Sequence, residues 1–515
     1  MGLKNMSLIL GFLGFVFRQV SSIFVILVKF IVHKPYEVKN TFFERLCRNK
    51  TMLTVNGGFP GPTIHVRKGN RAYVMHGVKQ PRNSWSDSLE NITQCPIKRG
   101  KNFTYETRAT VHGAIVILLE ANTTYPFPEP VTEQVLILGE WFKGDVKEII
   151  DNATATGADP TLSDAYTING QPGFPNNCST DTSYKLTVEY GKTYLLRLVN
   201  AVMNEEMFFG IAKHNFTVVA HDGAYIKPVT TSYIMITPGQ TMDILLTANQ
   251  SPSHYYIAAT PFFDSNAPYD STNTSAILQY TGNYTLPSSI PYPTLPNVTD
   301  QDAADNFTTR IRSLASAEHP INVPENITTQ IFIAVSVNQI LYANASCGGP
   351  NGNRLAASLN NGIFVTPSID ILQAYYRSLT GVFGSDFPSQ PPYIFNLAKR
   401  DVGNNTLYPR QGTKARLINY GEAVEIVFQG TNVGNAENHP MHLHGFSFYL
   451  VGTGYGNFNA TSSPNFFANN PGVWFMHCHL ERHASWGMDT VLIVKNGTTA
   501  ETSILPPPAN LPTCS

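Results

Sequence analysis

Short runs of β-branched and aromatic residues, separated by turns rich in Gly, Pro and Asn, make up most of the 515-residue chain. This pattern is typical of β-sandwiches and β-barrels, in which strands are brief and turns are frequent. Amphipathic helical periodicity is scarce, and the best helix candidate is the segment Ser368–Ser378. The hydrophobic pattern therefore predicts an all-β protein, and its length allows two to four domains.

A predicted strand that ends in a glycine occurs three times with similar residues, at Thr63–Gly69, Tyr184–Gly191 and Ala415–Gly421. A histidine follows the second and third glycines after 23 residues, at His214 and His444, but follows the first after only 7, at His76. We therefore expect the first β unit to lack about sixteen residues, roughly one long strand and a turn.

These repeats and the composition of the intervening stretches suggest where the units begin and end. The Pro-, Ser- and Asn-rich stretch from Pro287 to Pro324 indicates a linker. We predict an apolar N-terminus at 1–32, a truncated first unit at 33–125, a second unit at 126–286, a linker with the start of the third unit at 287–366, and the rest of the third unit at 367–515.

Charge and composition exclude some classes of protein. The net charge is −1, so there is no electrostatic case for binding nucleic acid or an anionic membrane. Glycosylation sequons are frequent, and the apolar run Met6–Phe17 has the length of a signal peptide. A second run, Ile23–Val32, is also shorter than a spanning helix needs. We expect a secreted glycoprotein without stable membrane insertion, with a signal anchor as the alternative.

Two short segments near the C-terminus carry the strongest chemical signal, Asn438–Gly445 and Met476–His483. In a strand, residues two apart point to the same face. His442 and His444 therefore form one pair, and His477 and His479 form another. Cys478 faces the opposite side of its strand.

On that opposite side His439 and His483 could join Cys478, and Met488 follows the cysteine by ten residues. Two imidazoles, one thiolate and a weak axial thioether are the ligands of a blue-copper electron-transfer site. Zinc is the main rival, but it favours cysteine pairs or an open three-ligand site, and no second thiol lies near Cys478 in sequence. The pattern favours copper, with Cys478 as the electron bridge between two metal sites.

From about Tyr36 onward the chain resembles the plant laccases, which are multicopper oxidases. Besides the two histidine-rich segments, the resemblance rests on four motifs: Val55–Ile64, Thr93–Ile97, Asp164–Gly173 and the C-terminal Leu-Pro-Pro-Pro. It implies three cupredoxin-like Greek-key domains, a type 1 copper, and a trinuclear cluster between the first and third domains.

The resemblance also implies roles for individual residues. It assigns His439, Cys478, His483 and axial Met488 to type 1 copper and His442 to type 2 copper. The remaining assignments are to the type 3 pair, namely His76, His444, His477 and His479. Asp87 matches an acidic residue that the family uses near the cluster as a proton relay.

Three of the eleven family ligands have no counterpart here, and all three belong to the trinuclear cluster. Val74 occupies the type 2 position of the first motif, and the second motif is absent because Arg108 runs directly into Ala109. A further stretch is missing near Phe466–Phe467. His112 stands where the family usually has Tyr, so it is not assigned as a ligand.

Of the six cysteines, Cys478 must stay reduced if it binds metal, which leaves one of the other five unpaired. The family resemblance implies the pairs Cys47–Cys178 and Cys95–Cys514, with Cys347 left over.

The resemblance implies a monomeric laccase of the plant cell wall (apoplast) that acts in lignin and phenolic metabolism. It would oxidise phenols such as monolignols by one electron and reduce dioxygen to water, with four coppers per chain or fewer here. Three alternatives stay open. These are a copper-binding homologue with impaired catalysis, an incomplete gene product, and an ascorbate oxidase or ferroxidase.

Overall fold

The computed structural model describes residues 37–67, 80–87, 89–95, 112–120, 122–174, 183–318, 320–393, 396–399, 403–434, 436–458, 465–508, 511 and 514. Most regular structure in these ranges is β-strand, which confirms the all-β prediction. None of the helices within them is long and apolar enough to cross a membrane. The predicted signal peptide at 1–32, His76 and Cys178 lie outside the described residues.

The described part of the first unit contains two small sheets. One is an antiparallel pair with Val38 opposite Val55, and the other is a parallel pair with Ile64 opposite Ile115. The strands are β1 (Val38–Arg45), β2 (Arg48–Val55), β3 (Ile64–Arg67) and β4 (Ile115–Leu118). A 3-10 helix, Ser84–Ser86, follows β3 in sequence and buries Ser84 and Trp85.

The second unit is a sandwich of a six-stranded and a five-stranded sheet around one apolar core. Its strand Thr241–Thr247 shows the expected alternation, because Met242, Ile244 and Leu246 are buried while the residues between them are less so. The six-stranded sheet contains β5 (Thr132–Trp141), β6 (Ala165–Ile168), β8 (Thr193–Asn200), β10 (Phe216–His221), β11 (Ala224–Thr231) and β13 (Thr241–Thr247). The five-stranded sheet contains β7 (Lys185–Val188), β9 (Glu206–Ile211), β12 (Tyr233–Ile236), β14 (His254–Phe262) and β15 (Thr274–Tyr280).

The third unit is a second sandwich, of a six-stranded and a four-stranded sheet. The six-stranded sheet contains β16 (Thr329–Ile340), β17 (Arg354–Leu359), β18 (Gly362–Phe364), β19 (Arg410–Gly412), β21 (Ala423–Gly430) and β23 (Asn465–Phe467). The four-stranded sheet contains β20 (Ala415–Ile418), β22 (Met441–Leu443), β24 (Gly472–Cys478) and β25 (Asp489–Val494). Both histidine-rich segments therefore belong to one small sheet.

Strand β24 lies between two apolar clusters, and this placement sets the position of the site. Trp474, Met476 and Cys478 pack into the core between the two sheets. Val473 and Phe475 pack into a second cluster that includes Trp85 of the first unit. Because consecutive side chains point to opposite faces, the strand presents Cys478 to one side and His477 to the other.

Five α-helices lie in the described ranges: α1 (Val146–Thr156), α2 (Gln301–Thr308), α3 (Ile371–Tyr376), α4 (Asn404–Leu407) and α5 (Glu481–Ser485). Two further 3-10 helices are Pro350–Gly352 and Ala500–Thr502. Helix α3 lies inside the predicted helical segment. Helix α1 was not predicted; Asp145 caps its N-terminus by accepting from two backbone N–H groups, and Gly157 ends it at φ 69°.

The stretch expected to be a linker contains α2. Ala304 and Phe307 of this helix are buried in the core of the second unit. This part of the stretch is therefore packed against the second unit.

The disulfide Cys95–Cys514 confirms one of the two pairs implied by the resemblance and ties the first unit to the chain end across 419 positions. Cys47 is also a half-cystine. Cys347 and Cys478 are free thiols, and Cys478 is buried.

Candidate metal centre

Strand register places the two histidine-rich segments side by side. β22 and β24 are antiparallel, with Met441 opposite Cys478 and His442 opposite His477. A further backbone bond from the N–H of His479 to the carbonyl of Pro440, 2.7 Å, continues this pairing beyond the strand end. The sheet thus assembles the donors on both faces of β24 from residues distant in sequence.

On one face, the ligand atoms of His439, Cys478 and His483 all lie within 4.8 Å of one another. Nδ1 of His483 is 3.4 Å from Sγ of Cys478 and 3.2 Å from Nδ1 of His439. His483 reaches this position because the short helix α5 turns the chain back directly after β24. We call these three residues the Cys478 site.

Met488 lies beside the Cys478 site. Its side chain is fully buried in the same apolar cluster as Cys478. Its backbone carbonyl accepts from the N–H of Cys478 at 3.2 Å, and its own N–H donates to the carbonyl of His483 at 3.0 Å. The backbone thus binds Met488 to two of the three residues of the site.

Burial controls the protonation of these groups. It raises the pKa of the Cys478 thiol well above its ordinary value. Burial and the neighbouring His483 lower the pKa of His439 to about 3, and burial lowers the pKa of His483. The imidazoles are therefore neutral at neutral pH, and a metal ion would bind by displacing the thiol proton.

A carboxylate stands behind the Cys478 site. Oε1 of Glu437 lies 3.2 Å from Nε2 of His483, and Oε2 accepts from Nη2 of Arg482 at 2.7 Å. Since a carboxylate accepts, His483 carries its proton on Nε2, and the Nδ1 lone pair faces Cys478. A carboxylate that fixes a histidine tautomer in this way is a common outer partner of metal-bound histidine.

On the other face of β24 four imidazoles form a second group, which we call the imidazole cluster. Their ring centroids lie 4.8 to 5.6 Å apart in the pairs His442–His444, His442–His477, His442–His479, His444–His477 and His477–His479. Burial and the neighbouring rings lower the pKa of His442 to about 2. Crowded imidazoles of this kind suit metal ions.

Two hydrogen bonds fix tautomers within the imidazole cluster. Nδ1 of His477 donates to the carbonyl of Cys478 at 2.7 Å, and Nδ1 of His444 lies 3.0 Å from the carboxylate of Asp87. With the Nδ1 atoms of both rings engaged, the two Nε2 atoms face each other at 3.3 Å. A shared proton or a bound metal ion between them would satisfy both nitrogens.

Asp87 is the contribution of the first unit to the imidazole cluster. It follows the 3-10 helix Ser84–Ser86, and Gln80 donates to its Oδ1 at 3.4 Å. The side chains of Asp87 and His444 are both almost fully buried. The structure thus places Asp87 against His444, while His76 lies outside the described residues.

The second unit also reaches the imidazole cluster, through Gly239. A Cβ atom at this position would lie 2.3 Å from Nε2 of His479, and the backbone there has φ +80°. Only glycine fits between the loop and the ring, so the second unit helps to fix the position of His479.

Sequence reasoning missed Glu437 and Arg482. Glu437 lies two residues before His439, and Arg482 lies directly before His483. The available signal was a charged residue within two positions of an assigned ligand. Their mutual contact depends on the fold, since 45 positions separate them.

The donor set of the Cys478 site fits copper, because a soft thiolate with two imidazoles selects that metal. The fold and this site define a cupredoxin-like copper protein in which a cluster of four imidazoles lies on the opposite face of β24. Multicopper oxidase family models match residues 37–116, 132–283, 386–466 and 462–498. The chain belongs to the plant laccases within the multicopper oxidase family.

Relatives and solved structures agree with this assignment. The chain is 43% identical to Laccase-14 of Arabidopsis thaliana and 43% identical to Laccase-21 of Oryza sativa subsp. japonica, with 94% of each chain covered in both cases. The laccase of Botrytis aclada superposes with a TM-score of 0.64 at 22% identity, covering 91% of this chain and 88% of that one. Fet3p, a multicopper oxidase that functions in iron import, gives 0.63 at 21% identity, with 89% of both chains covered. These two structures establish the fold.

The alignment with Laccase-14 also has a length difference. It is 544 positions long but takes up about 484 residues of this chain, 94% of 515. About 60 aligned positions therefore have no counterpart here. Two of the segments that the sequence analysis predicted to be shortened fall at residues 68–79 and 96–111, outside the described ranges.

Proposed function

We propose that the protein oxidises phenolic compounds, including monolignols, by one electron each and passes the electrons to dioxygen. The observation that supports this most is the sharing of β24. The Cys478 site lies on one face and the imidazole cluster on the other, with Cys478 covalently adjacent to His477 and His479. An electron that arrives at the thiolate thus has a short path through bonds to the second site.

Copper bound at the Cys478 site supplies a centre that cycles between Cu(I) and Cu(II). The chain contributes the surroundings of that centre. Glu437 holds the tautomer of His483, and the buried core around Met488 excludes water. His442, His444, His477 and His479 would hold the coppers that reduce dioxygen, and Asp87 would relay protons to that cluster.

The imidazole cluster has fewer ligands in this chain than in the family. Eight of the eleven family ligand positions are filled, and the three lost positions all belong to the cluster that handles dioxygen. A homologue that keeps copper at the Cys478 site but does not turn over is therefore the competing function.

Copper content and oxygen uptake separate the two functions. The full-length chain would be loaded with copper, and metal per chain, red absorption and oxygen consumption with 2-methoxyphenol would be measured. The laccase function predicts close to four coppers, an intense sulfur-to-copper band and oxygen uptake. About one copper with the band but without oxygen uptake would establish the copper-binding homologue, and absence of the band would overturn both.

A second measurement addresses the origin of the missing segments. Genomic DNA between the codons for Gly69 and His76 would be sequenced. In-frame coding sequence there would show that the natural product is longer, whereas its absence would show that the shortening is genuine.

We further propose that the protein is a secreted monomer of the plant cell wall. The apolar N-terminal residues and the frequent sequons support secretion, and no spanning helix occurs among the described residues. Size-exclusion chromatography and detection of the protein in apoplastic fluid test this proposal. A dimer, or retention inside cells, would contradict it.

A further inference from the structure

The carboxyl group of Asp370 lies against both sulfur atoms of the disulfide Cys95–Cys514. Its Oδ2 is 3.1 Å from Sγ of Cys95 and 3.4 Å from Sγ of Cys514. Asp370 and Cys95 are fully buried, whereas Cys514 is partly exposed. These three residues belong neither to the Cys478 site nor to the imidazole cluster, and the proposed phenol oxidation does not use them.

Gln373 fixes the orientation of this carboxyl group. Its backbone N–H donates to Oδ1 of Asp370 at 2.7 Å, and its side-chain Nε2 donates to Oδ2 at 2.6 Å. Asp370 is also the N-terminal cap of helix α3, so the helix sets its position. The carboxyl group therefore faces the two sulfurs in a fixed geometry.

The short contact with sulfur indicates that Asp370 carries a proton. A disulfide sulfur has no hydrogen to donate, so only a protonated carboxyl group can form a hydrogen bond to it. Burial raises the pKa of Asp370, although the donors of Gln373 and the charge of Arg377 act in the opposite direction. A carboxylic acid beside a disulfide can protonate a sulfur that leaves as a thiolate.

The disulfide fastens the end of the chain to the first unit. We call residues 503–508, 511 and 514 the C-terminal strap. Nε of Arg82 donates to the carbonyl of Ser503 at 2.7 Å, and the N–H of Leu505 donates to the carbonyl of Arg82 at 2.9 Å. Nε1 of Trp85 donates to the carbonyl of Leu505 at 2.8 Å. The strap thus runs along the first unit before it reaches the disulfide.

Cys95 lies on the same short stretch of the first unit as Asp87, eight positions further along the chain. Helix α3 contacts this stretch as well, because the N–H of Leu372 donates to the carbonyl of Ile92 at 2.9 Å. Opening the disulfide would leave the stretch attached to the strap and to α3 by non-covalent contacts alone. The position of Asp87 against His444 would then be less firmly fixed.

We infer that Cys95–Cys514 is a reducible fastening that an external dithiol opens, with Asp370 as the proton donor. A thiolate of the dithiol attacks Sγ of Cys514, the more exposed sulfur, and forms a mixed disulfide as the protein S–S bond breaks. The electron pair leaves on Sγ of Cys95, which takes the proton of Asp370. The two donors of Gln373 stabilise the resulting carboxylate until it regains a proton from water.

The second thiol of the reductant completes the reaction. It attacks the mixed disulfide as a thiolate and releases Cys514, which takes up a proton from water. The protein gains two thiols, and the dithiol becomes a cyclic disulfide that has supplied both electrons and, through water, both protons. In the opened state we expect the imidazole cluster to bind metal more weakly, while the Cys478 site is unchanged because its donors all come from the third unit.

The rate at which dithiothreitol reduces the metal-free, full-length protein tests the role of Asp370. Alkylation followed by mass spectrometry would measure the thiols that appear at Cys95 and Cys514. Asp370→Asn keeps an acceptor for the cap of α3 but has no acidic proton, so reduction should slow by about tenfold or more. Asp300→Asn is the matched control, because Asp300 caps helix α2 by accepting from the N–H of Ala303 at 2.9 Å. It should be reduced at the unmodified rate.

Two measurements on the unmodified protein need no substitution. Glutathione, which has a single thiol, should form its mixed disulfide at Cys514 and leave Cys95 as a thiol. The rate of reduction, divided by the thiolate fraction of the reductant, should fall as the pH rises and Asp370 loses its proton. An adduct at Cys95, a corrected rate that does not change with pH, or equal rates in the Asp370 and Asp300 variants would overturn the inference.

The double variant Cys95→Ser with Cys514→Ser represents the opened state. Copper titration should show binding by the imidazole cluster weakened about tenfold, with the red absorption of the Cys478 site preserved. Cys347→Ser, which removes a free thiol instead, should change neither. Unaltered binding by the cluster in the double variant would refute the link between the disulfide and that cluster. None of these readouts requires phenol oxidation, so they are independent of the proposed function.

Discussion

The two faces of β24 differ in how many parts of the chain they require. The Cys478 site draws all its donors, and the carboxylate behind it, from residues 437 to 488 of the third unit. The imidazole cluster also depends on Asp87 of the first unit and on the close approach of Gly239 from the second. The Cys478 site is therefore assembled within one unit, whereas the imidazole cluster depends on how three units meet.

Because of this difference, we expect a change in the first unit to affect the imidazole cluster more than the Cys478 site. Asp87 of the first unit contacts His444, whereas the donors of the Cys478 site all come from the third unit. We expect electron acceptance to be more robust than dioxygen reduction. Four predictions follow from the arrangement of the two sites and their surroundings.

The largest effect is expected from Cys478→Ser. Because the thiolate is the only sulfur anion in the site and the bridge to both flanking histidines, its loss should abolish the red absorption and phenol oxidation completely. Absorption and electron paramagnetic resonance of the copper-loaded variant provide the measurement. Cys347→Ser, at the other free thiol of the described residues, should change neither, and a red band that survives Cys478→Ser would contradict the assignment.

The free energy of unfolding is expected to depend on pH through Glu140 of β5. Burial and the nearby Glu205 raise the pKa of Glu140 from 4.5 to about 8. The folded state thus keeps a proton that the unfolded state releases above pH 4.5. The stabilising contribution is complete below pH 4.5 and is lost as the pH rises through 8, amounting to at most about 5 kcal/mol.

Chemical unfolding of the metal-free protein from pH 4.5 to 9 measures this dependence. Glu140→Gln cannot ionise, so the variant should lose less stability over that interval. An identical pH profile for both proteins would show that Glu140 carries no such proton.

A crossed pair of substitutions sharpens the comparison further. Asp87→Asn should weaken metal binding by the imidazole cluster about 10- to 100-fold and spare the red band, because an outer carboxylate orients its histidine. Glu437→Gln should weaken copper binding at the Cys478 site by a similar factor and spare the cluster. Copper titration followed by absorption distinguishes them, each variant serving as the control for the other; equal effects at both sites would mean that the carboxylates act only on folding.

The smallest effect is expected from Gly239→Ala. The new Cβ would collide with His479, and an L-residue at φ +80° is strained, so unfolding should become easier by about 1–3 kcal/mol. Gly191→Ala has the same backbone strain at φ +78° but open space around the added atom. In denaturant unfolding, Gly191→Ala should lose less stability than Gly239→Ala, and the difference measures the collision with His479. Equal losses in the two variants would show that this collision costs no free energy.

Much of the Cys478 site could be predicted from the sequence because its signals are local. Spacings of one and two residues decide which side chains share a face of a strand, so Cys478 and His477 had to point apart. Helix α1 was not predicted. Its capping residues, Asp145 and Gly157, indicate helix ends only if the segment between them is already assumed to be helical.

The charged partners of the histidines could not be predicted in the same way. Asp87 and His444 are 357 positions apart, and nothing in either segment points to the other. Their contact depends on how two separate units pack.

The sequence by itself determined the strand pattern, the ligand types and the opposite orientation of Cys478 and its flanking histidines, since all of these follow from backbone geometry over a few residues. Only the tertiary structure decided that Glu437 orients His483, that Asp87 reaches His444, and that Gly239 lies against His479. Such contacts join distant segments, and the polar ones are strong because they lie in a buried medium of low dielectric constant, which no local pattern encodes.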